Sequence, residues 1–485
     1  MKRKINKKLL ITALAVSLTV LSLPTITISV GLNLPAQFDE SFYGELVPMV
    51  NKLRNCTSKK IVIIGNSNVA FGVDSALMRS SLRSSLPGYE VCNFGLYGAI
   101  GTKAMLDLAR SYIYKDDIVL FAPEWNDQIM SLYLNPNEIW RSLEGDYSLF
   151  FNFNNSDKTM LLMNLNHHLS EKYEYYISNE KAIPEDIYVK SSFDSNCDMK
   201  NYPREYNIMY DLYDPNYMID WSLDLYGDAF CSYVNEFYHD INAKGASMYF
   251  TFAPMNMGAI VDKSEEAIKH FYDYTANSFE FKVISNPKTY MMDEAWFYDS
   301  NFHLNKYGMI IRTYNLINDL KNELGISVPT NIELPEIPAI PPQVFEDGND
   351  EHQAYFTYQS EGDHYVIDGM TALGVGKKDI IIPSTYNDLP VTSFKANVFA
   401  GNTALSSVTI QPSIRVLEDR SFYGCSALRS VYVEANKPNN TSIGFNLLDG
   451  TNDVSIYVQS ASVTSYRHDY FWGHYGSQIK SYEKK

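Results

Sequence analysis

The stretch KKIVIIGNSNVAFGVDS, residues 59–75, sets a polar knot at the end of an apolar run. Ile61, Val62, Ile63 and Ile64 are apolar, β-branched and uninterrupted. That pattern predicts a strand covered on both faces. Gly65-Asn66-Ser67-Asn68 follows at once, and Val69-Ala70-Phe71-Gly72 turns apolar again. A serine at the tip of a buried strand has a nucleophile's place, provided that a base reaches it. The plainer alternative is a structural turn, in which the glycine and serine only end the strand.

Working outward, the same pattern recurs. YEVCNFGLYG (89–98), DIVLFAPEW (117–125) and GASMYFTFAPMN (245–256) read as further strands. TKAMLDLARSYIY (102–114) and AFCSYVNEFYHDINAK (229–244) read as helices between them, and 39–55 as a short helical lead-in. Strand–helix alternation predicts an open, mostly parallel α/β sheet. Ligands of such sheets bind beyond the carboxyl ends of the strands. Residues 128–222 are aromatic and polar without a clear period. They read as a long insertion, a lid or substrate-shaping segment within an α/β domain spanning 39–325. Pro329, Pro335, Pro338, Pro341 and Pro342 then mark 326–352 as an extended linker and a domain boundary.

Beyond the linker the chain repeats itself. FAGNTALSSVTI starts at Phe399 and FYGCSALRSVYV at Phe422, an offset of 23 residues. Val391 pairs with Ile414 and Phe394 with Leu417 at the same offset. A half copy around Ile380-Ile381-Ile382 precedes them, and a degenerate copy ends in Ile456-Tyr457-Val458. This period predicts a stacked solenoid over 353–485, in which each repeat needs its neighbours to bury its ladder. The repeat shape resembles the leucine-rich repeats of bacterial surface antigens. The region reads as a separate unit, and its deletion is expected to leave 56–325 folded and turnover of a small model ester largely unchanged.

The chain has 485 residues, with 40 basic against 57 acidic side chains and a net charge of −17. That balance argues against a nucleic-acid partner. Lys2, Arg3, Lys4, Lys7 and Lys8 precede an uncharged run from Leu9 to Phe38. Residues 1–38 therefore read as a signal peptide or as an uncleaved membrane anchor, and both alternatives put the bulk of the chain outside the cytoplasm. The five cysteines are scattered and form neither a disulfide framework nor a metal-binding spacing.

A base for Ser67 is available in WFYDSNFHLNKYG, residues 296–308, where Asp299 and His303 lie together before a helical pattern. One loop can present an imidazole to Ser67 and a carboxylate to orient it. NFGLYG places Gly95 and Gly98 at the end of the second strand, and PEWND places Glu124, Asn126 and Asp127 at the end of the third. Taken in order, these blocks resemble the SGNH (GDSL-like) hydrolase superfamily. Within it they are most similar to membrane-anchored members that act on cell-envelope polymers, those of D-alanyl-lipoteichoic acid assembly among them. The resemblance implies a flavodoxin-like three-layer sandwich. It also implies Ser67 as nucleophile, His303 as base, Asp299 as acid, and Gly95 or Gly98 with Asn126 in the oxyanion hole. Two positions depart from the family pattern. Asp299 and His303 are spaced D-x-x-x-H, so either the loop absorbs one residue or Ser300 or the backbone orients the imidazole. The third block reads Glu124-Trp125-Asn126-Asp127, and a slip of two residues would turn Glu124 towards the site.

These readings lead to two expectations. The first is a serine acyl hydrolase or acyltransferase at the cell surface, needing no metal or cofactor. Its substrate would be an acetyl or D-alanyl ester of an envelope polysaccharide or teichoic acid. The second is an inactive hydrolase scaffold whose repeats bind a protein or glycan as an adhesin. In either case the N-terminal segment would meet the membrane.

Overall fold

The structure is a computed structural model, and it describes residues 28–179, 181, 187–209, 212–214, 217–338, 350–438 and 442–482. Most of the proposed signal or anchor, residues 1–27, and part of the proline-rich linker, 339–349, lie outside the described residues. Among the described residues no helix is long and apolar enough to cross a membrane.

The α/β unit is built on four parallel strands: β1 (Lys59–Gly65), β2 (Tyr89–Gly95), β3 (Ile118–Ala122) and β4 (Ser247–Phe250), in the order β2-β1-β3-β4. The register is continuous, with Ile61 opposite both Val91 and Ile118. Beyond Lys59 every residue of β1 is buried, because helices cover both faces of the sheet. On one face lie α2 (Ser67–Gly72), α3 (Ser75–Leu82) and α9 (Lys306–Glu323), which pack together. On the other lie α1 (Leu46–Asn55), α4 (Thr102–Arg110) and α7 (Asp228–Ala243). The chain leaves β1 in one direction to β2 and in the other to β3. The crevice beyond the carboxyl ends of β1 and β3 is thus the point where the strand order reverses, the usual ligand position in such sheets.

The stretch 128–222 is not shapeless. It contains α5 (Pro136–Ser142) and the 24-residue α6 (Asn155–Ser178). Leu161, Leu165 and Leu169 of α6 are buried at a spacing of four, but Leu162, Met163, Tyr173 and Ile177 are exposed on its outer side. Those apolar residues mask the period in the sequence.

The repeats form two parallel ladders. β9 (Ser407–Ile410) pairs in register with β11 (Ser430–Val433), and β8 (Leu389–Phe394) with β10 (Val416–Leu417), both at the 23-residue offset. The next step lengthens to 25, with Ser430 opposite Ser455 in β13 (Ser455–Gln459). Gly401, Gly424 and Gly450 each hold a positive φ of 70–75° and stack in a column, a conformation that other L-residues enter only with strain. Phe422 is fully buried, stacked on Phe399 at 5.0 Å and edge-on to Phe394 at 5.9 Å. Phe422→Ala removes a ring from the centre of a ladder in which each repeat depends on its neighbours. It is expected to lower the stability of the repeat region by about 3–5 kcal/mol, read from its denaturant midpoint.

Candidate functional site

Ser67 stands where β1 ends and α2 begins. Asn66 is still extended, at φ −113° and ψ −150°, and Ser67 is the first helical residue. The turn is tight against its neighbours. A Cβ on Gly65 would meet Ala122 O at 2.6 Å, and one on Gly95 would meet Val69 Cβ at 2.4 Å and Asn66 O at 2.5 Å. The two glycines therefore let β1 and β2 close around the serine.

His303 arrives from the other side of the crevice. Phe297 and Leu304 bridge antiparallel, and the N–H of Tyr298 donates to the carbonyl of His303 at 2.8 Å. Residues 299–302 form the tip of this small hairpin. Ser300 Oγ accepts from the backbone N–H groups of Phe302 (3.3 Å) and His303 (3.2 Å). Asn301 fastens the tip by donating to the carbonyls of Asp214 and Tyr217. Asn305 caps α9, accepting from the N–H groups of Tyr307 and Gly308. The extra residue of the D-x-x-x-H spacing is absorbed in the hairpin tip.

The result is a chain of hydrogen bonds. His303 Nε2 lies 2.8 Å from Ser67 Oγ, and His303 Nδ1 lies 2.7 Å from Asp299 Oδ1. All three are nearly buried, at 6%, 8% and 6% exposure for Ser67, His303 and Asp299. Phe71 stacks on the imidazole at 4.0 Å with an interplanar angle of 10°, which fixes the ring plane. Asp299 Oδ2 accepts from Tyr188 Oη at 2.7 Å and from Lys437 Nζ at 2.6 Å. Burial opposes the charge on Asp299. The Lys437 ammonium and the His303 ring outweigh it and hold the carboxyl well below the usual carboxylate range.

Two of these partners were not anticipated. Tyr188 belongs to the 128–222 insertion. So does the fully buried Arg204, which donates to the carbonyls of Phe71, Leu304 and Met199 and thereby ties α2 to the His303 loop. Lys437 comes from the loop after β11, in the repeats. The repeats thus reach the site through Lys437, and removing them would strip a cation from Asp299.

The remaining sequence candidates fall differently. Gly95 stands beside Ser67, but its N–H donates to Asn93 Oδ1 at 3.2 Å. Gly98 lies against Ile129, its ideal Cβ position 3.1 Å from that side chain. Asn126 does not face the serine. Its Oδ1 accepts from the N–H of Gln128 at 3.0 Å and closes the turn after β3. Glu124 takes the position instead: its Oε1 accepts from Ser67 Oγ at 3.1 Å and from the N–H of Asn68 at 2.8 Å. The slip of two residues follows from β3 ending at Ala122, which turns the next side chain but one inward. The Asn66 amide is fully buried, and among the described residues neither of its polar atoms has a hydrogen-bond partner.

Glu124 matters because Ser67 has one hydroxyl proton and two acceptors for it. A carboxylate there competes with His303 and repels a developing oxyanion. Glu124→Gln is expected to raise the rate of Ser67 labelling by a fluorophosphonate about tenfold. A fall of that size would place Glu124 within the machinery.

Comparison with known proteins reaches the repeats. Residues 376–478 match the family model of the BspA type leucine-rich repeat region, in six copies. Two solved structures show likeness. A leucine-rich repeat protein of T. pallidum is 18% identical, over 24% of this chain and 66% of that one, with a TM-score of 0.16. A leucine-rich cell surface protein of Faecalibacterium prausnitzii A2-165 is 19% identical, over 27% of this chain and 36% of that one, with a TM-score of 0.18. Likenesses this slight in TM-score say nothing further about the chain. No curated protein matches it. With the in-register ladders and the family match in agreement, the C-terminal region of this chain consists of BspA-type leucine-rich repeats.

Proposed function

We propose that this chain is a serine acyl hydrolase or acyltransferase of the SGNH type, working outside the cytoplasm at the cell surface. Its substrate class is an acetyl or D-alanyl ester of an envelope polysaccharide or teichoic acid. One observation carries the reading: a serine hydroxyl 2.8 Å from an imidazole whose other nitrogen is 2.7 Å from a buried carboxylate, beyond a parallel strand. In this role Ser67 Oγ bonds to the acyl carbon and the ester C–O bond breaks. His303 carries the serine proton to the departing oxygen, while Asp299 holds the tautomer and steadies the imidazolium. Water or a second hydroxyl then releases the acyl group by the same path. The orphaned Asn66 amide, next in sequence to Ser67, is the side chain available to meet an oxyanion. Surface location is supported by the repeat type and by the basic N-terminus before an uncharged run. The N-terminal segment would serve as the membrane contact, and the repeats would hold the enzyme to a glycan or protein ligand.

A second reading makes the repeats the working part and the α/β unit an inactive scaffold, so that the chain is a surface binding protein. The family match favours it, as does a carboxylate rather than an amide facing Ser67. Intact mass after exposure to a fluorophosphonate separates the two. The serine-enzyme reading expects one stoichiometric adduct, mapped to Ser67. An unmodified mass at saturating probe would leave the binding-protein reading.

A further inference from the structure

We propose that Lys437 is a positioning residue for the Ser67–His303–Asp299 site, supplied by the repeats, so that the basicity of His303 depends on repeat docking. This deepens the proposed serine chemistry and rests on it.

The contact is a fitted one. Lys437 Nζ lies 2.6 Å from Asp299 Oδ2, on the oxygen that His303 leaves open. Its ammonium also sits 5.3 Å from the centre of the Tyr188 ring and 5.6 Å from that of Tyr298. The lysine thus ends in a cation-binding recess of two aromatic faces and a carboxylate. Its side chain is 16% exposed and that of Asp299 is 1% exposed, so the pair is shielded from solvent screening.

The loop that carries Lys437 is held by the repeats themselves. The hydroxyl of the fully buried Tyr466 donates to Ala435 O at 2.9 Å and to Lys437 O at 3.3 Å. Ser462 Oγ donates to Asn436 O at 2.8 Å. Residues 435–437 are therefore fixed by the short helical segment after β13, within the repeat region. The position of the ammonium reports whether this segment is folded and docked.

The electrostatic consequence has a definite sign. An anionic Asp299 stabilises the imidazolium of His303, and a cation on the same carboxylate offsets part of that field. The other groups around the pair are Tyr188 and Tyr298 at the carboxylate, Arg204 beneath the loop with Asp198 in its field, and Glu124 beyond Ser67. Among the described residues, none of these groups comes from the repeats. Removing the Lys437 charge should stabilise the imidazolium, so that the imidazole loses its proton only at higher pH.

The test uses the full chain as wild type, Lys437→Met and Lys437→Arg. The ring signals of His303 are assigned by their loss in His303→Gln and followed by NMR through a pH titration. Fluorophosphonate labelling is measured across the same range. The Lys437→Met midpoint is expected to rise by about one pH unit. The acidic limb of the labelling profile should rise with it, giving about tenfold slower labelling on that limb, and Lys437→Arg should restore both. An unchanged or lowered NMR midpoint in Lys437→Met overturns the proposal. Absence of labelling in the wild type would sink the serine-enzyme reading instead, and the NMR midpoint would still judge Lys437.

Discussion

Ser67→Ala loses covalent labelling by serine-directed probes, with the rate falling at least about a thousandfold. The serine hydroxyl lies 2.8 Å from His303 Nε2, inside a crevice closed by Gly65 and Gly95. Replacing it by hydrogen removes the bond-forming atom and leaves α2 and β1 with the same packing. The variant should therefore melt as the wild type does. Its circular dichroism and thermal midpoint provide the control. Equal labelling of both proteins would show that the probe finds another residue.

Asp299→Asn should cost about 10³–10⁴ in labelling rate, while Ser300→Ala costs no more than a few-fold. The asymmetry follows from the hairpin. Asp299 Oδ1 accepts from His303 Nδ1, whereas Ser300 Oγ accepts only from backbone N–H groups at the tip. An asparagine that turns its amide nitrogen to Nδ1 favours the tautomer with its proton on Nε2, which does not accept from Ser67. It also removes the anion that Lys437 and Tyr188 are arranged to meet. Loss of the Ser300 hydroxyl frees two part-buried backbone N–H groups at the hairpin tip, a cost that stays local. Near-normal rates for both variants would mean that the backbone orients the imidazole. A large loss for Ser300→Ala alone would move the acid's role to that residue's turn.

How far the sequence carried depends on the range of the interaction. The parallel sheet was legible because β1–β4 are short apolar runs separated by amphipathic helices, a pattern that local burial imposes. The 23-residue ladder was legible because stacking repeats the same environment at the same offset. Ser67 was readable as a polar residue at a strand end, and Asp299 with His303 as a polar pair in one loop before a helix. Glu124 against Asn126 was not, since that choice turns on the single residue at which β3 stops. Helix α6 was hidden by the exposed Leu162, Met163 and Ile177. Lys437 lies 138 positions from Asp299 in the chain, and a lysine in a repeat loop carries no local mark of a buried carboxylate elsewhere.

The stack of Phe71 on His303 has a consequence for the order of events in the proposed reaction. With Phe71 stacked on its face and Nδ1 bonded to Asp299, the imidazole meets Ser67 through Nε2. The alcohol that departs and the hydroxyl that accepts the acyl group must use that nitrogen in succession. The first product has to vacate before the second reactant enters. Steady-state rates measured against donor at several acceptor concentrations should then give parallel double-reciprocal lines, the mark of a double-displacement enzyme.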